Sequence, residues 1–109
     1  AAHRGRLMFP RDVAGQFSRE HGCTLAEWQR DLPGAVQPHA MDQPEPGQAV
    51  VHLDGGGRLH LRWQVQPPRQ IALVRLPRLQ VDFRFEQVDA ATRSAFMRRF
   101  DLMLQRGGG

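Results

Sequence analysis

The chain has 109 residues, of which 40% are hydrophobic and 24% are charged, and its formal net charge is +4 at pH 7. This length suits a single domain with a modest core, and the composition is ordinary for a globular protein, which argues against wholesale disorder. No apolar run approaches the roughly 18 residues of a membrane-spanning helix, so a soluble protein is predicted. All basic residues are arginine, a bias that we attribute to a GC-rich bacterial genome rather than to phosphate binding.

A single cysteine, Cys23, excludes an intramolecular disulfide, and no signal-like apolar segment opens the chain. Both features are typical of a reducing compartment, and a cytoplasmic location is predicted. Cys23 lies between Gly22 and Thr24 and is interpreted as a small residue of a turn. A reactive thiol would need a nearby base, and His21 is the only local one.

The N-terminal part of the chain predicts a first helix. Residues 1–9 show no periodicity, and we expect them to be flexible or foreign to the native chain. A helix is expected over 10–21, because Pro10 suits a first helical turn and Val13 and Phe17 lie one turn apart on the same face.

A second helix is predicted over 24–32. Thr24 stands three residues before Glu27, the spacing at which a hydroxyl and a carboxylate cap a helix reciprocally. Pro33 is expected to end this helix, because the residue before a proline is pushed out of the α region. The expected apolar stripe consists of Leu25, Trp28 and Leu32. The following residues, 33–47, contain four prolines and predict a long loop, either a plain connection or a partner-binding lid.

A β-hairpin is predicted in the middle of the chain, where apolar and polar residues alternate on both sides of Gly55-Gly56-Gly57. A three-residue glycine loop would place His52 opposite His60 on the wet face, with their β-carbons about 5 Å apart. The preferred interpretation is two solvated surface histidines. Such imidazoles could also form a pH-sensitive pair or share a metal, but no third ligand is evident, and no metal or other cofactor is predicted. The expected pairs are Asp54 with Arg58, Leu53 with Leu59, His52 with His60, and Val51 with Leu61.

A second hairpin is predicted from strands over 70–76 and 79–86, with a turn at Pro77-Arg78. Pro67-Pro68 is expected to end the preceding strand, because proline cannot donate to a central ladder. The turn would pair Leu76 with Leu79, Val74 with Val81, and Ala72 with Phe83. Asp89 is the predicted cap of a C-terminal helix over 90–105, which a glycine tail at 107–109 follows.

The predicted fold is therefore α+β. It comprises an N-terminal helical pair, a four-stranded antiparallel meander and a C-terminal helix packed on one sheet face, all within a single domain of residues 10–106. The sheet face expected to lie under the C-terminal helix bears Leu59, Leu61, Trp63, Val74, Val81, Phe83 and Phe85.

The predicted third strand is apolar on both faces, and this feature carries the functional hypothesis. Ile71 and Leu73 fall on the face that the other strands leave polar, so either they are exposed or another element covers them. The cover could be the N-terminal helices, which is the preferred interpretation, or a second copy of the chain. The candidate interaction surface consists of Ile71, Leu73, Arg75, Arg84 and Arg62. The preferred function is a non-enzymatic module that binds a partner protein or forms a homodimer.

Two other classes of function stay open. Scattered arginines allow RNA or DNA binding, although every strand aromatic falls in the inward phase and could not stack bases. A small enzyme or ligand carrier would need a pocket between the sheet and the loop at 33–47. No catalytic residue is predicted, because no nucleophile has the surroundings of a known motif, and the glycine run lacks the Lys-Ser/Thr of a phosphate loop.

Overall fold

The computed structural model describes residues 15–108, which form one five-stranded antiparallel sheet and two helices. The strands are β1 (Gln16–His21), β2 (Ala40–Asp42), β3 (Gln48–His52), β4 (Arg58–Ile71) and β5 (Val74–Glu86), and the helices are α1 (Leu25–Val36) and α2 (Ala90–Gly108). The order of strands across the sheet is β1-β5-β4-β3-β2. The predicted α+β class is confirmed, whereas four strands and an N-terminal helical pair were predicted wrongly.

The predicted first helix is replaced, over its described part, by the edge strand β1. Phe17 lies opposite Phe83 of β5, and their rings stack with centroids 4.7 Å apart. The burial of β1 alternates from residue to residue, as expected of a half-buried strand. The free edge of β5 therefore decides the conformation of this segment, overriding its local helical pattern. The predictions for 1–9, for 10–14 and for Gly109 lie outside the described residues.

The predicted capping box of α1 is confirmed. The Glu27 amide donates to Thr24 Oγ1 at 3.1 Å, and the Thr24 amide donates to Glu27 Oε1 at 2.8 Å. The helix continues past its predicted end, through Pro33 to Val36. Proline removes one helical hydrogen bond, but burial of Ala35 and Val36 on the inner face offsets that loss. The inner face of α1 consists of Trp28, Leu32, Ala35 and Val36, and Leu25 lies exposed at its margin.

The segment at 33–47 is not one long loop. Its first residues complete α1, and Ala40–Asp42 form the short edge strand β2, which pairs with β3. Only residues 43–47 connect β2 to β3, so the predicted lid is reduced to a short connection.

The alternation of the first hairpin is confirmed, but its register differs by two residues from the prediction. His52 pairs with Arg58, and Val50 pairs with His60. The turn takes five residues instead of three, with a 3-10 turn at Asp54–Gly56 closed by a bond from the Leu53 amide to the Gly57 carbonyl at 2.9 Å. An even shift leaves every side chain on its predicted face. His52 and His60 therefore share the wet face, but they do not lie opposite each other.

The predicted second and third strands are one strand, β4, which runs through Pro67-Pro68. A register irregularity between Gln66 and Arg69 accommodates the two prolines, since a bulge leaves residues outside the ladder. The chain reverses at Ala72-Leu73 rather than at Pro77-Arg78, so none of the three pairs predicted around that turn forms. Instead, Leu61 lies opposite Phe83, Trp63 opposite Val81, Val65 opposite Leu79, and Ile71 opposite Val74.

The core lies between the sheet and both helices. Trp28 of α1 contacts Trp63 and Phe100 edge-on, with centroid distances of 5.6 and 6.2 Å, and Phe100 of α2 meets Phe83 at 5.7 Å. Packing of the C-terminal helix on the predicted face is thus confirmed. Of the seven residues predicted on that face, six are buried there. The prediction for Val74 is wrong, because Val74 is exposed and pairs with Ile71 on the opposite side. Because α1 and α2 share one side, neither helix covers the opposite face, and the favoured helical cover of Ile71 and Leu73 is wrong within residues 15–108.

Replacing Phe100 by alanine is expected to lower the free energy of unfolding by about 3–5 kcal/mol, because this fully buried ring contacts both the sheet and α1. Urea denaturation measures the effect. Leu102→Ala on the exposed side of α2 is the matched control and should cost no more than about 0.5 kcal/mol. Equal losses for both variants would contradict this description of the core.

Candidate functional site

The sheet face opposite the helices, here called the open face, is solvated and polar. Its central part is a shallow depression of about 790 Å³ bordered by β1, β5, β4 and β3. The open face consists of alternate residues of each strand, among them Gln16, Ser18 and Glu20 of β1, Gln48, Val50 and His52 of β3, Arg58, His60 and Arg62 of β4, and Gln80, Asp82, Arg84 and Glu86 of β5.

The two carboxylates that β5 contributes to the open face, Asp82 and Glu86, already accept hydrogen bonds from polar side chains of that face. Asp82 accepts hydrogen bonds from the Ser18 hydroxyl and, at 3.2 Å, from the Gln80 amide. Glu86 accepts from His60 Nε2 at 2.8 Å and lies 3.4 Å from Arg58 Nη1. The Ser18 bond lowers the pKa of Asp82, and the His60 bond lowers the pKa of Glu86. These carboxylates are therefore held ionised and engaged.

Arg62 and Arg84 differ from these carboxylates, because their side chains are not bonded to other residues of the face. Both are exposed, and neither guanidinium group makes a hydrogen bond or an ion pair with another residue of the described chain, although Arg62 acts electrostatically on Asp82 and Arg84 on Glu86. Arg62 lies opposite Asp82, and Arg84 lies opposite His60, which makes the two arginines diagonal neighbours about 7–8 Å apart on adjacent strands. Amides flank them on the outer strands, with Gln16 opposite Arg84 and Gln48 opposite Arg62. The centre of the open face thus presents two guanidinium groups to solvent.

The far end of the β4–β5 hairpin projects beyond the rest of the sheet. The last pairs with neighbouring strands are His21 with Leu79 and Gln48 with Arg62. Residues 64–78, here called the arm, are therefore a two-stranded ribbon. Five of the seven large hydrophobic side chains that are exposed in the described chain lie on it, namely Val65, Ile71, Leu73, Val74 and Leu76.

Part of this apolar surface is continuous with the open face. Ile71 lies opposite Val74, and Leu76 lies opposite Arg69, so register places all four on the same side of the ribbon. This side of the ribbon is continuous with the open face. Glu20 of the open face accepts hydrogen bonds there from Arg69 Nη2 at 3.2 Å and from Arg78 Nη2 at 2.9 Å. The name apolar cluster is used below for Ile71, Val74 and Leu76.

The structure brings together part of the predicted interaction surface. Ile71, Arg62 and Arg84 share the open side of the sheet and arm. Leu73 is at the tip, where it is 96% exposed, and Arg75 lies opposite Gln70 on the reverse side of the arm.

Sequence reasoning missed Val74 and Leu76 because it placed the turn at Pro77-Arg78. One signal for the correct turn was available. Pro67-Pro68 and Pro77 lie at similar distances on either side of Ala72-Leu73, as expected for one ribbon folded there.

The two predicted histidines form separate ion pairs instead of one pair. His52 Nε2 lies 2.7 Å from Asp42 Oδ2 at the β2 edge, whereas His60 bonds to Glu86 across the sheet. In the part of the chain that the structure describes, no group of three or more His, Cys, Asp or Glu side chains is placed to hold a metal ion.

A second depression, of about 560 Å³, lies between the end of β1, α1 and α2. Cys23 lines it, and burial together with Glu27 and Asp31 raises the pKa of this thiol. Burial and Arg19 lower the pKa of His21, which favours its neutral form. A raised thiol pKa opposes formation of the thiolate nucleophile, so this region is poorly suited to thiol chemistry. Neither depression is lined by a residue of 33–47.

No known protein family matches this chain, and no curated protein is significantly similar to it. Neither of the two helices in the described part of the chain is long and apolar enough to cross a bilayer.

The pKa of Glu86 is expected to lie below its ordinary value of 4.5 in the folded protein and to rise towards it in His60→Ala, which removes the main cause of the shift. Since the folded pKa is depressed, the bond contributes stability above pH 4.5, and that contribution is lost as the pH falls through the folded pKa. Carboxyl-carbon NMR titration measures the shift. Ser18→Ala, the control, should raise the pKa of Asp82 and leave that of Glu86 unchanged. An unshifted Glu86 in the native protein would contradict the assigned bond.

Proposed function

We propose that this protein is a small non-enzymatic interaction module that binds another polypeptide through its arm and open face. The observation that carries the proposal is the concentration of exposed apolar side chains on the arm, where Leu73 is 96%, Ile71 54% and Val74 53% exposed. A two-stranded ribbon is only marginally stable alone in water, and clustered exposed apolar groups mark interaction sites. Burial of the arm against a partner would stabilise both the ribbon and the complex.

The backbone of the arm favours docking by side chains rather than by strand addition. Beyond β1 and β3, both edges of the ribbon lack a neighbouring strand within the described chain, and such edges can pair with an extended peptide. Pro67-Pro68 interrupts the β4 edge, and Pro77 interrupts the β5 edge. Proline has no amide hydrogen to donate, so a continuous ladder with a partner strand is disfavoured on either side.

The distribution of aromatic residues favours a polypeptide over single-stranded nucleic acid as the partner. Trp63, Phe83 and Phe85 point into the core and are at most 9% exposed, so they cannot stack with bases. Aliphatic side chains supply the exposed apolar surface, and these pack well against the apolar side chains of another protein.

Replacing Ile71 and Leu73 together by glutamate is expected to abolish binding of a partner or self-association, because charges would stand where the apolar contact forms. Size-exclusion chromatography with light scattering tests self-association, and quantitative cross-linking in the native host tests for a partner. The matched control is Leu25→Glu with Leu102→Glu, the two large exposed hydrophobic residues that residues 15–108 carry outside the arm.

The control variant should retain each complex that the native protein forms. A native protein that is monomeric and gives no specific cross-link would overturn the proposal, as would equal loss in both variants. A dimer lost only in the arm variant would identify the partner as a second copy.

A further inference from the structure

We infer that the polypeptide bound by this surface is a different protein, which presents an extended acidic segment whose carboxylates pair with Arg62 and Arg84 and whose aliphatic side chains pack on the apolar cluster. This inference rests on the proposed function and specifies the chemistry of the partner. It follows from the charges of the open face, from their existing bonds and from their position relative to the arm.

The charge balance of the open side favours an acidic partner. On the open side, five arginines stand against four carboxylates. The arginines are Arg58, Arg62, Arg69, Arg78 and Arg84, and the carboxylates are Glu20, Asp42, Asp82 and Glu86. Each carboxylate is already bonded to a residue other than Arg62 or Arg84. An incoming carboxylate would therefore break no ion pair of the protein.

Two guanidinium groups on adjacent strands suit carboxylate recognition. The planar fork of arginine can donate two parallel hydrogen bonds to one carboxylate, and such charge-assisted pairs are stronger than neutral ones. Gln16 and Gln48 flank the pair and supply further amide donors. The centre of the open face is thus suited to hold acidic side chains in a defined position.

The distance between the arginines and the apolar cluster defines the reach of the partner. From Arg62 to Ile71, β4 extends over nine residue steps, or about 30 Å at roughly 3.3 Å per residue. An extended segment of about eight to ten residues spans that distance. Acidic residues at one end and aliphatic residues at the other would match the surface, with the Glu20, Arg69 and Arg78 ion pairs between them.

A second copy of the chain matches this surface less well. In a two-fold dimer the same patch faces itself, which brings the excess of arginine against the same excess. In such a dimer the carboxylates that face Arg62 and Arg84 come from the same patch, and they already accept hydrogen bonds from their own chain. A nucleic acid is also a poorer match, because it has no aliphatic groups to pack on the apolar cluster.

Selection from a displayed library of random twelve-residue peptides against the full chain tests this inference. The native protein is expected to enrich peptides that combine Asp or Glu with Leu, Ile or Val. Arg62→Gln with Arg84→Gln should remove the acidic enrichment, keep the aliphatic enrichment, and weaken binding of the best acidic peptide at least tenfold. Arg98→Gln with Arg106→Gln, two exposed positions on α2, is the charge-matched control and should leave both enrichments unchanged.

The outcomes separate the inference from the proposed function. Binders that need Ile71 and Leu73 but show no acidic enrichment would overturn the inference and leave the proposed function standing. A library that yields no binder sensitive to either pair would count against both. A single-stranded oligonucleotide that binds more tightly than the best peptide at 150 mM salt, in an Arg62- and Arg84-dependent manner, would replace the acidic segment with nucleic acid.

Discussion

The pairing of β4 with β5 is the interaction on which the rest of the structure depends. The ladder runs from Arg58 and Glu86 to Ile71 and Val74, with one irregularity at the prolines. In the half of the ladder that β1 and β3 flank, Leu61 lies opposite Phe83. This pair belongs to the sheet surface on which both helices pack. Its outer half continues past the ends of β1 and β3 and forms the arm. A single long ladder therefore specifies both the core and the surface proposed to bind a partner.

Placement of both helices on one side of this ladder makes the sheet asymmetric. Trp28 and Phe100 close the inner side, whereas the outer side keeps the alternating polar residues that antiparallel sheets present to water. Most of the charged groups there bond to one another, as Asp82 and Glu86 do. Arg62 and Arg84 are left without such bonds, and they are the side chains of this face that we propose to pair with a partner.

The arm combines an apolar surface with features that limit uncontrolled association. A flat ribbon with free edges would be prone to pair with other chains, and prolines on both strands weaken that mode. Glu20 links the root of the arm to β1 through Arg69 and Arg78, although exposed ion pairs of this kind each contribute little stability. The apolar side chains are thus presented on a ribbon whose backbone is poorly suited to strand addition.

Features that depend on a few neighbouring residues could be predicted from the sequence. Alternation assigned Leu59, Leu61 and Trp63 to the core even though the predicted register was wrong, because a shift of two residues does not change the face. The capping box of Thr24 and Glu27 and the helix that begins after Asp89 were equally local. Ile71, Arg62 and Arg84 were recognised as candidate surface residues for the same reason, since the phase of a strand is set within it.

Which strands pair, and where the chain turns, depends on long-range contacts that become visible in the folded protein. A reversal at Pro77-Arg78 and one at Ala72-Leu73 are both compatible with local preferences, and the choice rests on whether Phe83 meets Ala72 or Leu61 across the sheet. The same holds for β1, which becomes a strand because Phe17 finds Phe83 at the edge of β5. Residues that pair across the sheet are distant in the chain, so no local pattern contains their interaction energies. The position of the arm relative to Arg62 and Arg84 follows from this pairing and therefore could not be predicted from the sequence.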